Sequence, residues 1–420
     1  MKKLCILALG LMAVTSVSAQ KNLVNEVEGK AKGFNADFPA VRAQLQPALT
    51  NAESKDDAKT WFVAGTIEFG DYDFQNLQKA AANADKFNDV NMSKALLAGY
   101  NYFMKAFPLD SVPELDKKNG QPKLQKDGSV KIKTKYSKDM VKKIVEHKDG
   151  FASAGEVFYY AKDFKNAYEA WEIYLNMPTN KSLGDKAPAQ YGDTVRGDFE
   201  YFKALAALQA QMYPEAIAAF DTAIATTKND IQTIDFAIAA AAESKNEEKV
   251  IEYAEIGNKL HGDSTVKFIN IIINDKINKE QYDEAQQLLS KAIAVSPDNA
   301  ELHDVLGILY QSQNKLDDAR KCFEKALSLD PNGAKFQFDL GRVIFAQAAA
   351  ISDGATNLPT AEYNKLVEEK VYPILREAAP YLEKALLSED MESEAKRILR
   401  SLYYTLNDNE NLQRIESMKY

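Results

Sequence analysis

The sequence predicts an all-α fold: a solenoid of stacked helical hairpins, with loop insertions and capping helices at its ends. Three observations predict it. Gly (19) and Pro (13) are scarce in 420 residues while Ala, Lys, Glu and Leu fill long stretches, a composition that favours helix over tight-turned strands. Ala319, Phe323, Ala326 and Pro331 stand at offsets of 0, 4, 7 and 12, and the first three share one helix face. The same frame stands 34 residues earlier as Ala285, Leu289, Ala292 and Pro297. One helical pair cannot bury its apolar face alone, whereas a stack of repeated pairs buries a continuous core.

The first residues are of another kind. Lys2 and Lys3 give a basic start, residues 4–14 are apolar, and residues 15–19 are small, ending in Val17-Ser18-Ala19. This order reads as a secretory signal peptide over 1–19, removed after Ala19. The expectation is an exported, periplasmic protein, soluble after cleavage, with cell-surface association left open. Cleavage removes Cys5 and leaves Cys322, so no internal disulfide can form. Cys322 lies in a helical pattern and reads as a packed thiol. No other apolar run approaches the roughly 20 residues of a membrane span, so no stable membrane insertion is expected. Net charge is 52 − 61 = −9, which argues against nucleic acid as a partner.

Residues 20–57 read as an N-terminal capping hairpin, with Val41, Leu45 and Ala48 on one face. Residues 58–111 form a repeat-like unit that begins with Trp61 and Gly65 and ends with Phe103 and Ala106. Its turn is prolonged by residues 70–91, with an extra helix expected around 77–84. Residues 112–147 are an insertion rich in Pro, Gly and Lys. There "KLQKDGSVKIK" sets Asp127-Gly128 between alternating runs, a hairpin signal. Lys131, Lys133 and Lys135 make it basic, suited to an acidic partner, anionic glycan or lipid headgroup; the plain alternative is a solvated loop.

Residues 148–390 carry the array. Gly155, Phe158, Ala167 and Trp171 mark the unit at 148, Ala216, Phe220 and Ala223 the unit at 197, and Val250, Ala254 and Gly257 the unit at 231. The unit at 300 adds Leu306, Gly307 and Tyr310 upstream of Ala319, and the polar turn Gln313-Asn314-Lys315 separates the two helices. Gly307 is costly inside a helix and asks for a packing reason. Insertions fall near 180–196 and 352–372, where Pro359-Thr360 should open a helix and Pro373 and Pro380 should kink or punctuate the downstream chain. Residues 391–420 read as a C-terminal capping hairpin with Ala395, Leu399 and Leu402 inward.

These frames resemble the tetratricopeptide repeat (TPR), whose helix A carries Leu-Gly-x-x-Tyr and whose helix B carries Ala, Phe, Ala and Pro at the offsets above. The resemblance implies a right-handed superhelix whose groove is lined by the second, fifth, ninth, twelfth and thirteenth positions of each helix A. Those positions give Lys267, Asn270, Asn274 and Asn278, then Asp304 and Gln311, then Lys335 and Arg342, as candidates for binding a peptide. Asn274 and Lys335 match a carboxylate clamp known in the family; Asn270, Val305 and Asp339 depart from it.

Little suggests catalysis. His147, His261 and His303 are scattered, and there is no H-E-x-x-H, G-x-S-x-G, phosphate-binding glycine loop or calcium loop. No catalytic residue, metal or cofactor is expected. The expected function is a non-catalytic protein–protein interaction scaffold of the bacterial cell envelope, binding a partner protein or extended peptide in the groove. The alternative is an envelope module for a glycan or small-molecule nutrient, prompted by 20 Tyr, 20 Phe and the cluster Tyr159, Tyr160 and Tyr168. Exposed stacked aromatics would favour the glycan, and a long polar groove the peptide.

Overall fold

The computed structural model describes residues 21–33, 36–262 and 264–418. Residues 1–19, read above as a signal peptide, lie outside the described residues. Two compact units divide the chain, the first ending at Lys245 and the second running from Asn246. Both are all-α helical repeat structures. Among the described residues no helix is long and apolar enough to cross a membrane.

In the first unit, α1 (residues 21–31) pairs with α2 (Phe38–Thr50), whose start is capped by the Asp37 carboxylate. Val41, Leu45 and Ala48 are buried with Val24 and Val27 against α3 (Ala58–Ala80). α3 continues unbroken through residues 70–80, so that stretch lengthens the helix and no separate helix forms around 77–84; a single 3-10 turn, Ala84–Lys86, comes next. α3 packs along α4 (Asp89–Asp110), and Gly65 lets the Phe103 ring lie on the α3 backbone. After the insertion come α5 (Ser137–Glu146), α6 (Lys148–Tyr160), α7 (Phe164–Asn176), α8 (Asp193–Gln209), α9 (Tyr213–Thr226) and α10 (Ile231–Glu243).

The second unit contains α11 (Glu247–His261), α12 (Lys267–Asn278), α13 (Tyr282–Val295), α14 (Ala300–Ser312), α15 (Leu316–Leu329) and α16 (Ala334–Gly354). α17 (Thr360–Leu366) begins after Pro359 and runs through a π segment, Val367–Val371, into α18 (Tyr372–Ala385). The Tyr372 N–H donates to the Val367 carbonyl there, five residues back and just ahead of Pro373, which has no N–H to continue the ordinary ladder. α19 (Glu392–Thr405) and α20 (Asn409–Ser417) end the unit, with Ala395, Leu399 and Leu402 fully buried.

The repeated residues hold neighbouring helices together. Ala167, Ala216, Phe220, Ala285, Leu289, Ala319, Phe323 and Ala326 are all fully buried, while Leu306 and Tyr310 are half-buried and Pro331 is exposed. Gly307 has the packing reason its position asked for: a Cβ there would lie 2.5 Å from Cε1 of Phe323. A second repeated device carries no sequence signature. Lys162, Gln211, Lys245, Glu280 and Asn314 each stand just past a helix A with φ between 58° and 60°. Each reverses the chain through a left-handed cap that satisfies the last carbonyls of its helix.

Candidate functional site

α6 and α8 are successive A helices, and between them opens a cleft of about 510 Å³ walled by Tyr159, Tyr160, Trp171, Phe199 and Phe202. Gly155 makes it possible. With no Cβ on α6, the Trp171 indole of α7 lies flat on that helix; a Cβ would come within 2.6 Å of its Cδ1. Trp171 Nε1 donates to the Ala152 carbonyl (3.1 Å), which fixes the ring. Tyr159 and Phe202 then meet Trp171 at ring centroid distances of 6.0 and 5.8 Å, both tilted, and Phe199 meets Phe202 edge-on at 6.2 Å. Tyr160 stands at the rim, 78% exposed, edge-on to Tyr159 at 6.4 Å. Burial raises the pKa of the Tyr159 hydroxyl, so it remains a neutral donor. Glu156 is the one charged side chain in the lining, and it makes no ion pair among the described residues.

The sequence held a signal for this cleft. The groove positions of the unit at 148 are Asp149, Ala152, Glu156, Tyr159 and Tyr160, and the last four line it. Tyr168, grouped with Tyr159 and Tyr160 by sequence, instead sits beneath the ammonium of Lys203 at 5.9 Å.

The candidate groove residues of the second unit are disposed differently. Lys267, Asn274 and Asn278 are exposed on α12. Asp304 on α14 is fully buried and ion-paired with Lys335 of α16. Lys335 also pairs with Asp339 (3.1 Å), and Asp339 with Arg342 (2.5 Å). Asp304, Lys335 and Arg342 are thus brought together in one internal charge network, and the positive charges a carboxylate clamp would use are already engaged. The same face keeps unused polar capacity. Asn270 Oδ1, Asp304 Oδ1, Gln311 Oε1 and Arg342 Nε are buried without a hydrogen-bond partner among the described residues.

A tetratricopeptide-repeat family model matches residues 277–337, which span α13, α14 and α15. Residues 277–337 thus match the tetratricopeptide repeat. No curated protein matches it. Among solved structures it is similar to YrrB, described as a TPR protein with an unusual peptide-binding site, at 12% identity and a TM-score of 0.33 over 48% of this chain and 96% of that one. It is similar to a monomeric IFIT1 mutant bound to Gppp-AAAA at 11% identity and 0.39, covering 94% and 79% of the two chains. The C-terminal part of a TPR protein from Cytophaga hutchinsonii gives 15% and 0.38 over 63% and 92%. Likenesses at these scores assign no ligand to this chain.

The basic insertion is self-paired. β1 (Val112–Pro113) runs antiparallel to β2 (Ile132–Lys133), and single bridges join Leu115 to Pro122 and Leu124 to Val130. Gly128, at φ +85°, turns the Asp127-Gly128 corner. Glu114 accepts from Lys123 (2.6 Å) and Lys131 (2.9 Å), bonds that hold its carboxyl at about 2. Lys131 therefore has an internal partner, while Lys135 covers the Tyr136 ring at 5.0 Å and Lys133 is exposed. Asp110 clasps the end of the insertion, accepting the N–H groups of Lys135 (2.9 Å), Tyr136 (2.8 Å) and Ser137 (2.7 Å) and the Ser137 hydroxyl (2.7 Å).

The titratable groups elsewhere are built into packing. His147 Nε2 meets Asp73 Oδ1 at 2.6 Å and its ring lies against Phe69 and Tyr72. His303 Nε2 meets the Pro297 carbonyl at 2.7 Å. Burial, with Asp318 adding to it, pushes the Cys322 thiol up to about 11, far from the reactive thiolate range. Among the described residues no group of three or more His, Cys, Asp or Glu could hold a metal ion.

Proposed function

We propose that this TPR chain is a non-catalytic scaffold that binds an extended peptide or partner-protein segment, with the cleft between α6 and α8 as its anchor site. The cleft carries the reading. A few rigid aromatic walls around a small number of polar groups is the usual constitution of a binding pocket, and aromatic anchors supply most of the energy in peptide recognition. A peptide crossing the A helices would set one side chain into the cleft and leave its backbone to the polar atoms along the helix faces.

We also propose that the protein is exported to the periplasm of a bacterial cell, where its partner would be met. The basic, apolar and small-residue order of residues 1–19 supports this, and N-terminal sequencing of the mature protein should begin at Gln20. Lys133, at the exposed edge of the insertion, is a candidate secondary contact for an acidic partner.

Selection of random displayed peptides on the full chain tests the anchor. Selected peptides should lose binding to Tyr160→Ala, a substitution at an exposed rim position that leaves the core intact. Selection of nothing, or peptides that bind Tyr160→Ala unchanged, would refute it. The exposed Tyr160 ring and the two tyrosine hydroxyls favour one second reading, a glycan stacked on the rim. Retention on a glycan array without any peptide selection would establish that instead.

A further inference from the structure

We propose that the α6–α8 cleft selects a cationic side chain, arginine ahead of lysine, from the bound peptide. This rests on the peptide reading above and names what the anchor is.

The first argument is how the rings of this unit are used. Elsewhere in it, several aromatic faces are covered by the chain's own lysines: Lys105 over Trp61 at 4.6 Å, Lys228 over Tyr201 at 5.6 Å, Lys148 over Tyr191 at 5.8 Å and Lys203 over Tyr168 at 5.9 Å. The cleft rings are different. Tyr159, Tyr160, Trp171 and Phe202 have no cation over them among the described residues, and no Lys or Arg lines the cleft. The Tyr160 and Phe202 faces, 78% and 41% exposed, are open to a cation from outside the chain, with the half-buried Tyr159 beside them and Trp171, 4% exposed, closing the floor beneath.

The second argument is charge. Glu156 faces the same space and makes no ion pair among the described residues. On α8, which forms the other wall, Glu200 is tied to Lys203 (2.7 Å) and Asp198 to Lys228 (3.0 Å), so those acids and lysines are engaged with each other. A bound anion would meet Glu156 with no compensating cation, and a neutral side chain would leave the carboxylate unused beside an apolar wall. A guanidinium satisfies both walls at once. Its plane stacks on the tyrosine and Phe202 faces, above the buried indole, while its N–H fork donates to the carboxylate. The aliphatic stem of the same residue covers Phe199 and Leu205, which line the apolar side.

The chain has two tryptophans, so in a Trp61→Phe variant Trp171 reports alone from inside the cleft. The probes are capped pentapeptides, Ac-Ala-Ala-Xaa-Ala-Ala-NH2, with Xaa as Arg, Lys, citrulline, norleucine or Phe. The expected result is a saturable change of Trp171 fluorescence with the Arg peptide at about one-tenth the concentration needed for its neutral isostere citrulline. Glu156→Gln in the same background should weaken Arg binding about three- to fivefold, as for an exposed ion pair, and leave the Phe peptide unchanged. Phe or norleucine binding as tightly as Arg, or Arg binding that ignores Glu156→Gln, would overturn the proposal while the peptide reading stands. No saturation by the Arg peptide up to about 10 mM, the weak end of measurable affinity, also overturns it. If peptide display also selects nothing, the peptide reading falls with it.

Discussion

One methyl group added at Gly155 should destabilise the first unit. In Gly155→Ala the new Cβ would fall 2.6 Å from Cδ1 of Trp171 and nearer still to Nε1 and Cε2. Carbon atoms rest at about 3.5–4.0 Å, so the indole must retreat by roughly 1 Å or α6 and α7 must part. Alanine gains about 1 kcal/mol over glycine in a helix interior. Overpacking costs about 1–3 kcal/mol, and losing the Trp171–Ala152 hydrogen bond about 1 kcal/mol more. The net expectation is a loss of about 1–3 kcal/mol. Gly29→Ala is the control. That residue lies in α1 with no atom within 4 Å of a new Cβ, so only the gain of about 1 kcal/mol remains. Urea unfolding followed by both tryptophan fluorescence and circular dichroism reads the two variants in one assay. The midpoint should fall for Gly155→Ala and rise for Gly29→Ala. Equal rises in both would refute the close contact of Trp171 with α6, and with it the construction of the cleft.

Three further outcomes are expected. Lys335→Met should destabilise the second unit by about 2 kcal/mol, below the roughly 3–5 kcal/mol of a fully buried pair because Lys335 is half-exposed, and adding Asp304→Leu should recover much of it in the same urea assay. Cys322 should react slowly with iodoacetamide at pH 8 in the folded chain and quickly in urea, as mass spectrometry would show; equal rates would contradict its burial. The insertion should loosen in acid. Glu114 titrates below its ordinary 4.5, at about 2, so its contribution is complete above about 4.5 and is lost as pH falls toward 2. Pepsin should therefore cut at the exposed Leu124 far faster at pH 2 than at pH 4, and Glu114→Gln should remove most of that difference.

The stacking residues were legible because each contact they make is repeated. Ala319, Phe323 and Ala326 declare one face by their spacing, and the same face recurs 34 residues earlier, so pattern alone names the buried side. The Asp127-Gly128 corner was legible for a local reason, since only a few residue types adopt positive φ. The site was not legible in the same way. A helix position says which way a side chain points and not what it meets. Asp304 occupies a groove position, yet it is buried because Lys335, 31 residues later, folds back onto it. Tyr159 and Tyr160 stand out in sequence as a tyrosine cluster, but the cleft they wall needs Phe202 from the neighbouring A helix and Trp171 from helix B. The left-handed turns escaped because Lys, Gln and Glu occupy them where glycine would have announced them.

The closed pairing of the basic insertion has an evolutionary consequence. Its backbone bonds are made within itself, from Glu114 to Lys131 and Lys123 and from Lys131 back to Lys123, and both its ends return to one clasp at Asp110. The helices on either side therefore need only the two anchor points and not the segment between them. Such an ornament can be lengthened, shortened or exchanged without renegotiating the helical stack, provided that Glu114 keeps a lysine partner, while an exposed position such as Lys133 is free to change.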